Sequence, residues 1–201
     1  HAAINIAQKR EINFFVTCSD KKRDYLKTTF NLQDNQIGNS RDTSFLELIL
    51  EETKGKGVKC VLNSLSDRML QSSLQILDDN GHFCEIGKFD ISNNTKIGLK
   101  ALEKNISYHA IDLSQYISYE NKELLKLLQY SLDNNEIKPL PTTIFPSNKI
   151  PEALRFMSNG KHIGKVLINM EDSFEEVEIN EHSFITTGTH IIVGGLGGIG
   201  L

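Results

Sequence analysis

Short apolar runs alternate with segments of helical period along most of this chain, and this alternation constrains the fold more than any single motif. The runs are rich in β-branched and aromatic residues, and the segments between them space apolar residues three and four positions apart. This pattern is typical of parallel βαβ units, so we expect an α/β fold built on a parallel sheet. The predicted strands cover residues 12–17, 58–63, 82–86, 106–113 and 163–168, and the predicted helices cover residues 21–29, 45–53, 68–77, 121–132 and 147–157.

Local signals set several of these boundaries. After the helix predicted for residues 68–77, Asn80-Gly81 is a turn that releases the chain into the next strand. Residues 139–146 contain three prolines, which bracket an extended segment because proline lacks a backbone donor and biases its predecessor away from the helix. Ser147 is the predicted N-cap of the helix that follows.

The C-terminal part of the chain differs in composition from what precedes it. Residues 171–188 begin with an acidic stretch typical of a solvated linker, so we predict a domain boundary there. Residues 189–201 hold a β-branched run followed by Gly195, Gly197 and Gly200 in the GxGxxG spacing, which lets a backbone approach a pyrophosphate at a helix N-terminus. We expect the first strand of a second Rossmann unit here; a purely structural glycine turn is the alternative.

The N-terminal residues also suit a dinucleotide-binding fold. Residues 1–8 predict a helix rich in small residues that leads to the strand at residues 12–17. In a Rossmann-like, doubly wound parallel sheet, a helix in this place follows the first strand and its glycine loop. We therefore expect residues 1–170 to form part of such a domain, with the loop upstream, and we expect the chain to be inactive by itself.

Charge and composition exclude several kinds of partner. The 201 residues carry a formal net charge of −4, so there is no excess of positive charge for binding a nucleic acid. No apolar run approaches the roughly 20 residues that cross a bilayer, and the start lacks the order of a signal peptide, so we expect a cytoplasmic protein with no membrane partner. The three cysteines form no CxxC pair and the histidines stand apart, so the sequence indicates no metal site.

Five blocks in a fixed order carry a more specific signal. They are NSRDTSF at residues 39–45, VKCVLNSLS at 58–66, GHFCEIGKFD at 81–90, KNISYHAID at 104–112, and FM with GKHIGKVL at 156–167. Together they resemble the enoyl reductase domain of reducing polyketide synthases and animal-type fatty acid synthases, a zinc-independent branch of the medium-chain dehydrogenase/reductase superfamily. The final glycines resemble the opening of the ketoreductase domain that follows enoyl reductase in these enzymes.

This resemblance implies a function and a set of partners. The expected reaction is the NADPH-dependent reduction of the α,β double bond of an enoyl thioester. The substrate would be held on phosphopantetheine by an acyl carrier protein domain. Neighbouring synthase domains would be further partners, and the parent protein would be a homodimer.

The resemblance also assigns residues to the cofactor. Ser19 and Lys22 match family positions for the 2′-phosphate of NADPH, with Arg23 as a helper, and small polar and basic residues after this strand suit NADP rather than NAD. The alternative is a solvated basic helix start. Further cofactor contacts are expected at the ends of two strands and near the chain's last predicted strand, namely Asn63, Ile86, Gly87 and Lys165.

Lys88 is the expected catalytic residue. Reduction of an enoyl thioester develops negative charge on the thioester oxygen and delivers a proton to the α-carbon, and an ammonium group serves both needs. The aspartate that partners this lysine in the animal fatty acid synthase pattern falls on Ser114 here. Asp112, two residues earlier on the same face of the strand, is the predicted substitute, and water is the alternative proton donor.

Two other functions stay open from the sequence. The first is a free-standing enzyme similar to quinone oxidoreductases, which shares the sheet and the NADPH chemistry but uses no carrier protein. The second is a catalytically silent structural domain of a synthase, because Ser114 occupies the expected acid position.

Overall fold

The structure is a computed structural model, and it describes residues 1–116, 121–160 and 162–170. The chain divides into two compact units, one over His1–Leu140 and one that begins at Pro141. The predicted linker at residues 171–188 and the predicted ketoreductase start at residues 189–201, with Gly195, Gly197 and Gly200, lie outside the described residues.

The first unit has parallel strands in two groups. Strands β1 (Val16–Cys18) and β2 (Ile37–Asn39) pair with each other, and β3 (Val58–Asn63), β4 (Leu77–Glu85) and β5 (Ser107–Ala110) form a three-stranded sheet in that order. The helices are α1 (Ala2–Lys9), α2 (Arg23–Phe30), α3 (Phe45–Glu52), α4 (Arg68–Gln75), α5 (Phe89–Ser92), α6 (Leu113–Tyr116) and α7 (Lys122–Asp133).

One face of the three-stranded sheet packs on α4. Leu70 and Leu74 are four residues apart on this helix, and both are buried against Leu77 and Phe83 of β4. The ring of Phe83 also stacks on Tyr108 of β5, with 5.2 Å between the ring centroids. The helical spacing of the apolar residues therefore decides which helix face is buried, and the two-residue period of the strand decides which strand face receives it.

Within residues 141–160 and 162–170, the described part of the second unit, the chain forms a parallel βαβ crossover. Strand β6 (Thr142–Pro146), helix α8 (Ile150–Ser158) and strand β7 (Lys165–Asn169) follow one another, and β6 pairs with β7 from Thr142↔Lys165 onward. Phe145 of β6 and Phe156 of α8 pack with their ring centroids 5.7 Å apart. This unit is the extended segment, helix and strand that the sequence predicts.

The α/β fold with parallel strands is confirmed, and the differences concern element ends, one additional strand and one turn. Asn80-Gly81 does not precede a strand, because both residues lie inside β4 where its pairing with β3 is irregular. Residues 12–15 are not strand, since β1 begins at Val16, and β2 lies in residues for which no strand was predicted. Ser147 is not the N-cap of α8, because a short 3-10 turn comes first and the helix begins after Lys149. No helix among the residues that the structure describes is long and apolar enough to span a membrane.

Candidate functional site

The carboxyl ends of β3 and β4 lie side by side and carry buried polar residues. Asn63 is the last residue of β3 and pairs in register with Glu85, the last residue of β4. Asn63 is 3% exposed and Glu85 is 1% exposed. In an open parallel sheet this edge is where ligands bind, so the two residues define the floor of the candidate site.

Glu85 is the hub of the hydrogen bonds at this edge. Its Oε2 accepts a hydrogen bond of 2.6 Å from Nδ2 of Asn63, and its Oε1 accepts one of 2.6 Å from the backbone N–H of Gly87. Burial raises the pKa of the Glu85 carboxyl, and these two hydrogen bonds partly offset that rise. Both carboxylate oxygens are thus used to fix residues on the two neighbouring strand ends.

The amide of Asn63 is committed to its own loop as well as to Glu85. Its Nδ2 donates to the carbonyl oxygen of Leu65 at 2.7 Å, and its Oδ1 accepts from the backbone N–H of Leu65 at 3.2 Å. Asn63 therefore shapes the loop after β3. Its predicted contact with a cofactor stays a prediction.

Gly87 and Ile86 form the start of the loop after β4. The N–H of Ile86 donates to the carbonyl oxygen of Asn63 at 3.0 Å. A Cβ added at Gly87 would lie 2.7 Å from Oε1 of Glu85 and 3.5 Å from Cα of Ser64. A side chain at this position would therefore have to displace Oε1 of Glu85, and the predicted cofactor contacts of Ile86 and Gly87 stay predictions.

Lys88 forms an ion pair with Asp112. Its Nζ lies 2.7 Å from Oδ1 of Asp112, with the Lys88 side chain 60% exposed and that of Asp112 35% exposed. Oδ1 of Asp112 also accepts hydrogen bonds from the backbone N–H of Ser114 at 3.0 Å and from its Oγ at 2.6 Å. The hydrogen bond from Lys88, with those from Ser114, lowers the pKa of the Asp112 carboxyl to about 2.

The residues predicted for the 2′-phosphate follow the carboxyl end of β1. Ser19 follows β1, and Lys22 lies half-buried in the 3-10 turn just after it. Arg23, by contrast, is held by Asp34: its Nε donates to Oδ1 at 3.0 Å, and Lys27 donates to Oδ2 at 2.8 Å. The structure thus brings Ser19 and Lys22 to a strand end and engages Arg23 with a carboxylate of its own chain.

Arg41 is a candidate that sequence reasoning missed. It follows the carboxyl end of β2, which pairs with β1 at Cys18↔Asn39, and within the described residues its side chain has no ion pair. The Asn39 side chain fixes this turn, because Oδ1 accepts from the N–H of Arg41 at 2.9 Å. The block NSRDTSF contains Arg41, but the signal was hidden because β2 was not predicted.

Two further candidates, Glu85 and Asp90, were also missed. Both are acidic residues in or beside an apolar run, where a charge needs hydrogen bonds to be buried. That pattern could have indicated a buried network. Lys165, the remaining predicted contact, lies at the start of β7 in the second unit, with its backbone N–H donating to Pro141.

Comparisons with known proteins agree with this geometry. The family described as "Zinc-binding dehydrogenase" matches residues 33–168. A highly reducing polyketide synthase, frbB of Dothideomycetidae sp. (strain 11243), is 36% identical over 225 residues, which cover 99% of this chain and 8% of the synthase. The chain therefore spans less than a tenth of the length of that relative.

Solved structures give the same result. The CurK enoyl reductase superimposes with a TM-score of 0.68 and 33% identity, over 83% of this chain and 50% of that one. The nucleotide-binding subdomain of the enoylreductase domain of PpsC from Mycobacterium tuberculosis gives 0.59 and 29%, over 68% and 76%. A quinone oxidoreductase of Escherichia coli complexed with NADPH gives 0.63 at 20% identity, over 84% and 53%, which supports the shared fold alone.

The family description mentions zinc, and the described residues do not fit a zinc site. Within residues 1–116, 121–160 and 162–170, no three His, Cys, Asp or Glu side chains lie where they could hold one metal ion. A catalytic zinc ion takes three such ligands from the protein.

Proposed function

This chain belongs to the zinc-binding dehydrogenase family and, within it, to the enoyl reductase domains of polyketide synthases, and we propose that it reduces carrier-bound enoyl thioesters with NADPH. The observation that carries the proposal is the ion pair between Lys88 and Asp112, which lies just beyond the carboxyl ends of β4 and β5. At that edge of a parallel sheet, a cofactor and a substrate can both reach the ammonium group.

The reaction requires one hydride and one proton. NADPH supplies the hydride, which adds to the β-carbon. The electron pair of the double bond moves toward the α-carbon and the thioester oxygen, and the α-carbon then takes a proton. We assign that proton to Nζ of Lys88, whose ammonium also stabilises the negative charge on the oxygen. The exposed side chain then regains a proton from solvent.

Asp112 forms the ion pair with Lys88, and it lies two residues before Ser114, the position at which this chain departs from the family pattern. Ser114 stands where the animal fatty acid synthase pattern has an aspartate, and its N–H and Oγ both donate to Asp112. The carboxylate is thereby oriented toward Lys88. We propose that Asp112 with Ser114 replaces the aspartate of the pattern, which favours an active domain over a silent one.

For cofactor binding we propose that the carboxyl ends of β3 and β4 and those of β1 and β2 contact different parts of NADPH. Gly87 and Ile86, with the loop shaped by Asn63, would accept the ribose and nicotinamide part. Ser19, Lys22 and Arg41 would contact the 2′-phosphate, because two cations and a hydroxyl suit a dianionic group.

The parent protein would be a polyketide synthase, since the curated relative is one and this chain covers a small part of it. An acyl carrier protein domain would then present the substrate on phosphopantetheine, next to other synthase domains, in a homodimer. A cytoplasmic location is proposed with it.

The test measures NADPH oxidation by the full-length parent protein with a crotonyl thioester as acceptor. Parallel assays replace NADPH by NADH, or replace the thioester by a small quinone. Turnover of the thioester with NADPH at a rate well above that with NADH supports the proposal. Preference for the quinone would support the free-standing oxidoreductase, and no oxidation with either acceptor, in a protein that binds NADPH, would support the silent domain.

A further inference from the structure

Two loops follow the strand ends at the centre of the candidate site, and two buried carboxylates connect them. Residues 64–67 follow β3 and lead into α4, whereas residues 86–88 follow β4, include Lys88, and lead into α5, whose second residue is Asp90. Glu85 joins the loops at their beginning, through Asn63 on one side and the N–H of Gly87 on the other.

Asp90 joins the same loops at their far end. It is 8% exposed, and its Oδ2 accepts a hydrogen bond of 3.2 Å from the backbone N–H of Asp67. Asp67 has a φ of 55°, a left-handed conformation that a residue other than glycine adopts at a cost and that needs support from its surroundings. The hydrogen bond to Asp90 provides such support.

The Lys88 loop is therefore fixed on both sides of Lys88. Glu85 holds the residue before it, and Asp90 is two residues after it. Both acceptors are oxygens of buried carboxyl groups, and a buried N–H that lost such an acceptor would bear a desolvation cost. Within the described residues, the side chain of Lys88 makes one ion pair, with Asp112, and an ion pair this exposed is by itself too weak to fix a loop.

We propose that Glu85 and Asp90 are positioning residues that hold the loop of Lys88 so that its ammonium reaches Asp112. The catalytic meaning of that position rests on the function proposed above, but the geometry does not. A role confined to stability predicts a uniform weakening of the unit, whereas a positioning role predicts a change at Lys88 alone.

The experiment measures how fast an acylating reagent modifies individual lysines of the folded full-length protein, with peptides resolved by mass spectrometry. Asp112→Asn is the positive control, since it removes the partner of Lys88. In Glu85→Gln, the side-chain amide has one oxygen to accept a hydrogen bond, so its NH2 group faces either Nδ2 of Asn63 or the N–H of Gly87 and one hydrogen bond is lost. The loop of Lys88 is then less well held and its ion pair with Asp112 weaker, so we expect Lys88 to react about two to five times faster. Asp90→Ala, which removes the acceptor for Asp67, should give a similar increase.

Lys59 provides the matched control. Its Nζ lies 2.9 Å from Oδ2 of Asp78, at the opposite end of β4, in an ion pair of similar exposure. The same Nζ also donates to the carbonyl oxygen of Asp79 at 2.7 Å, so Asp78→Asn should accelerate Lys59 by a smaller factor than Asp112→Asn accelerates Lys88, and it should leave Lys88 unchanged. Global weakening, in contrast, would accelerate both lysines in Glu85→Gln.

The outcomes separate the two proposals. Faster modification of Lys88 but not Lys59 supports positioning, whether or not the wild type reduces enoyl thioesters. An unchanged Lys88 rate in folded Glu85→Gln and Asp90→Ala, or a parallel rise at both lysines, overturns it. If Glu85→Gln fails to fold, Asp90→Ala decides alone.

In an active protein, kcat should fall about 10- to 100-fold in Glu85→Gln with the KM for the thioester nearly unchanged, because a small misplacement of a reacting group has effects of this size.

Discussion

The two strand-end regions of the first unit hold their charges in opposite ways. At β3 and β4, Glu85 and Asn63 are buried and hydrogen-bond to each other, so the protein's own contacts set the geometry there. At β1 and β2, Lys22 and Arg41 have no ion pair within the described residues, although Arg23 nearby is already paired with Asp34. The first region is organised by the protein itself, and the second would be completed by a bound anion.

The largest expected effect is on kcat, from a substitution of Lys88 just beyond the carboxyl end of β4. Lys88→Ala should lower kcat for an enoyl thioester about 10²- to 10⁴-fold, the usual contribution of a general acid. The KM for NADPH should change little, because the cofactor contacts are assigned to other residues. Steady-state kinetics of NADPH oxidation would measure both parameters.

Lys59→Ala is the control for this variant, because Lys59 is an exposed, paired lysine on the same sheet. It should keep the wild-type kcat. Full activity in Lys88→Ala would transfer the proton donation to water and leave Lys88 without a catalytic role.

The next largest effect is on the affinity for NADPH, from substitutions at the carboxyl ends of β1 and β2. Lys22→Ala and Arg41→Ala should each weaken NADPH binding about tenfold, since a hydrogen bond to a charged group contributes about 1.5–3 kcal/mol and these groups are partly exposed. Binding of NADH should change less than threefold, because it lacks the 2′-phosphate. Fluorescence titration of both cofactors gives the ratio.

Arg23→Ala separates the predicted helper from the others. Because Arg23 is held by Asp34, we expect it to change the ratio of NADPH to NADH affinity less than Arg41→Ala does. A loss of NADPH affinity in Arg23→Ala that exceeds the loss in Arg41→Ala would reverse this assignment.

Most of the fold could be predicted because its signals are local. The apolar spacing in α4 and the β-branched run of β3 fixed both elements to within two residues. Strand β2 could not be found this way, since Ile37–Asn39 is three residues long and contains glycine. Its strand character comes from pairing with β1, which is a tertiary effect.

The site shows the same limit. Lys88 and Asp112 were found from the resemblance, and their contact then depends on the register between β4 and β5. Glu85 was missed because an acidic residue inside an apolar run indicates a buried network but does not identify its partners, which here come from the neighbouring strand and loop. Arg41 was missed with β2. In each case the contact forms between neighbouring strands that are distant in the sequence, so it cannot be read from a short segment of the chain.

A smaller effect is expected from closing the gap beside Glu85. Gly87→Ala places a methyl group 2.7 Å from Oε1 of Glu85, which Asn63 holds in place. Overpacking of this kind typically costs about 1–3 kcal/mol of unfolding free energy. Gly98→Ala is the matched control, because nothing lies within 4 Å of its added Cβ and its φ is not positive. Equal stabilities of the two variants in denaturant unfolding would contradict the tight packing at Gly87.

The smallest effect distinguishes the exposed carboxylate from the buried one by pH. The folded-state pKa of Asp112 is lowered to about 2, so its ion pair stabilises the folded state above the unfolded pKa near 4 and loses that contribution as pH falls toward 2. The pKa of Glu85 is raised by burial, so its contribution is present below the unfolded pKa and is lost as pH rises through the folded value. Between pH 8 and pH 2, the stability difference between wild type and Asp112→Asn should therefore shrink on acidification below about pH 4, whereas the difference between wild type and Glu85→Gln should grow in favour of the wild type as pH falls through the folded pKa of Glu85 and should level off below its unfolded pKa. Denaturant unfolding of the three proteins across this range measures both trends, and parallel pH dependences would mean that the two carboxylates do not differ as their burial requires.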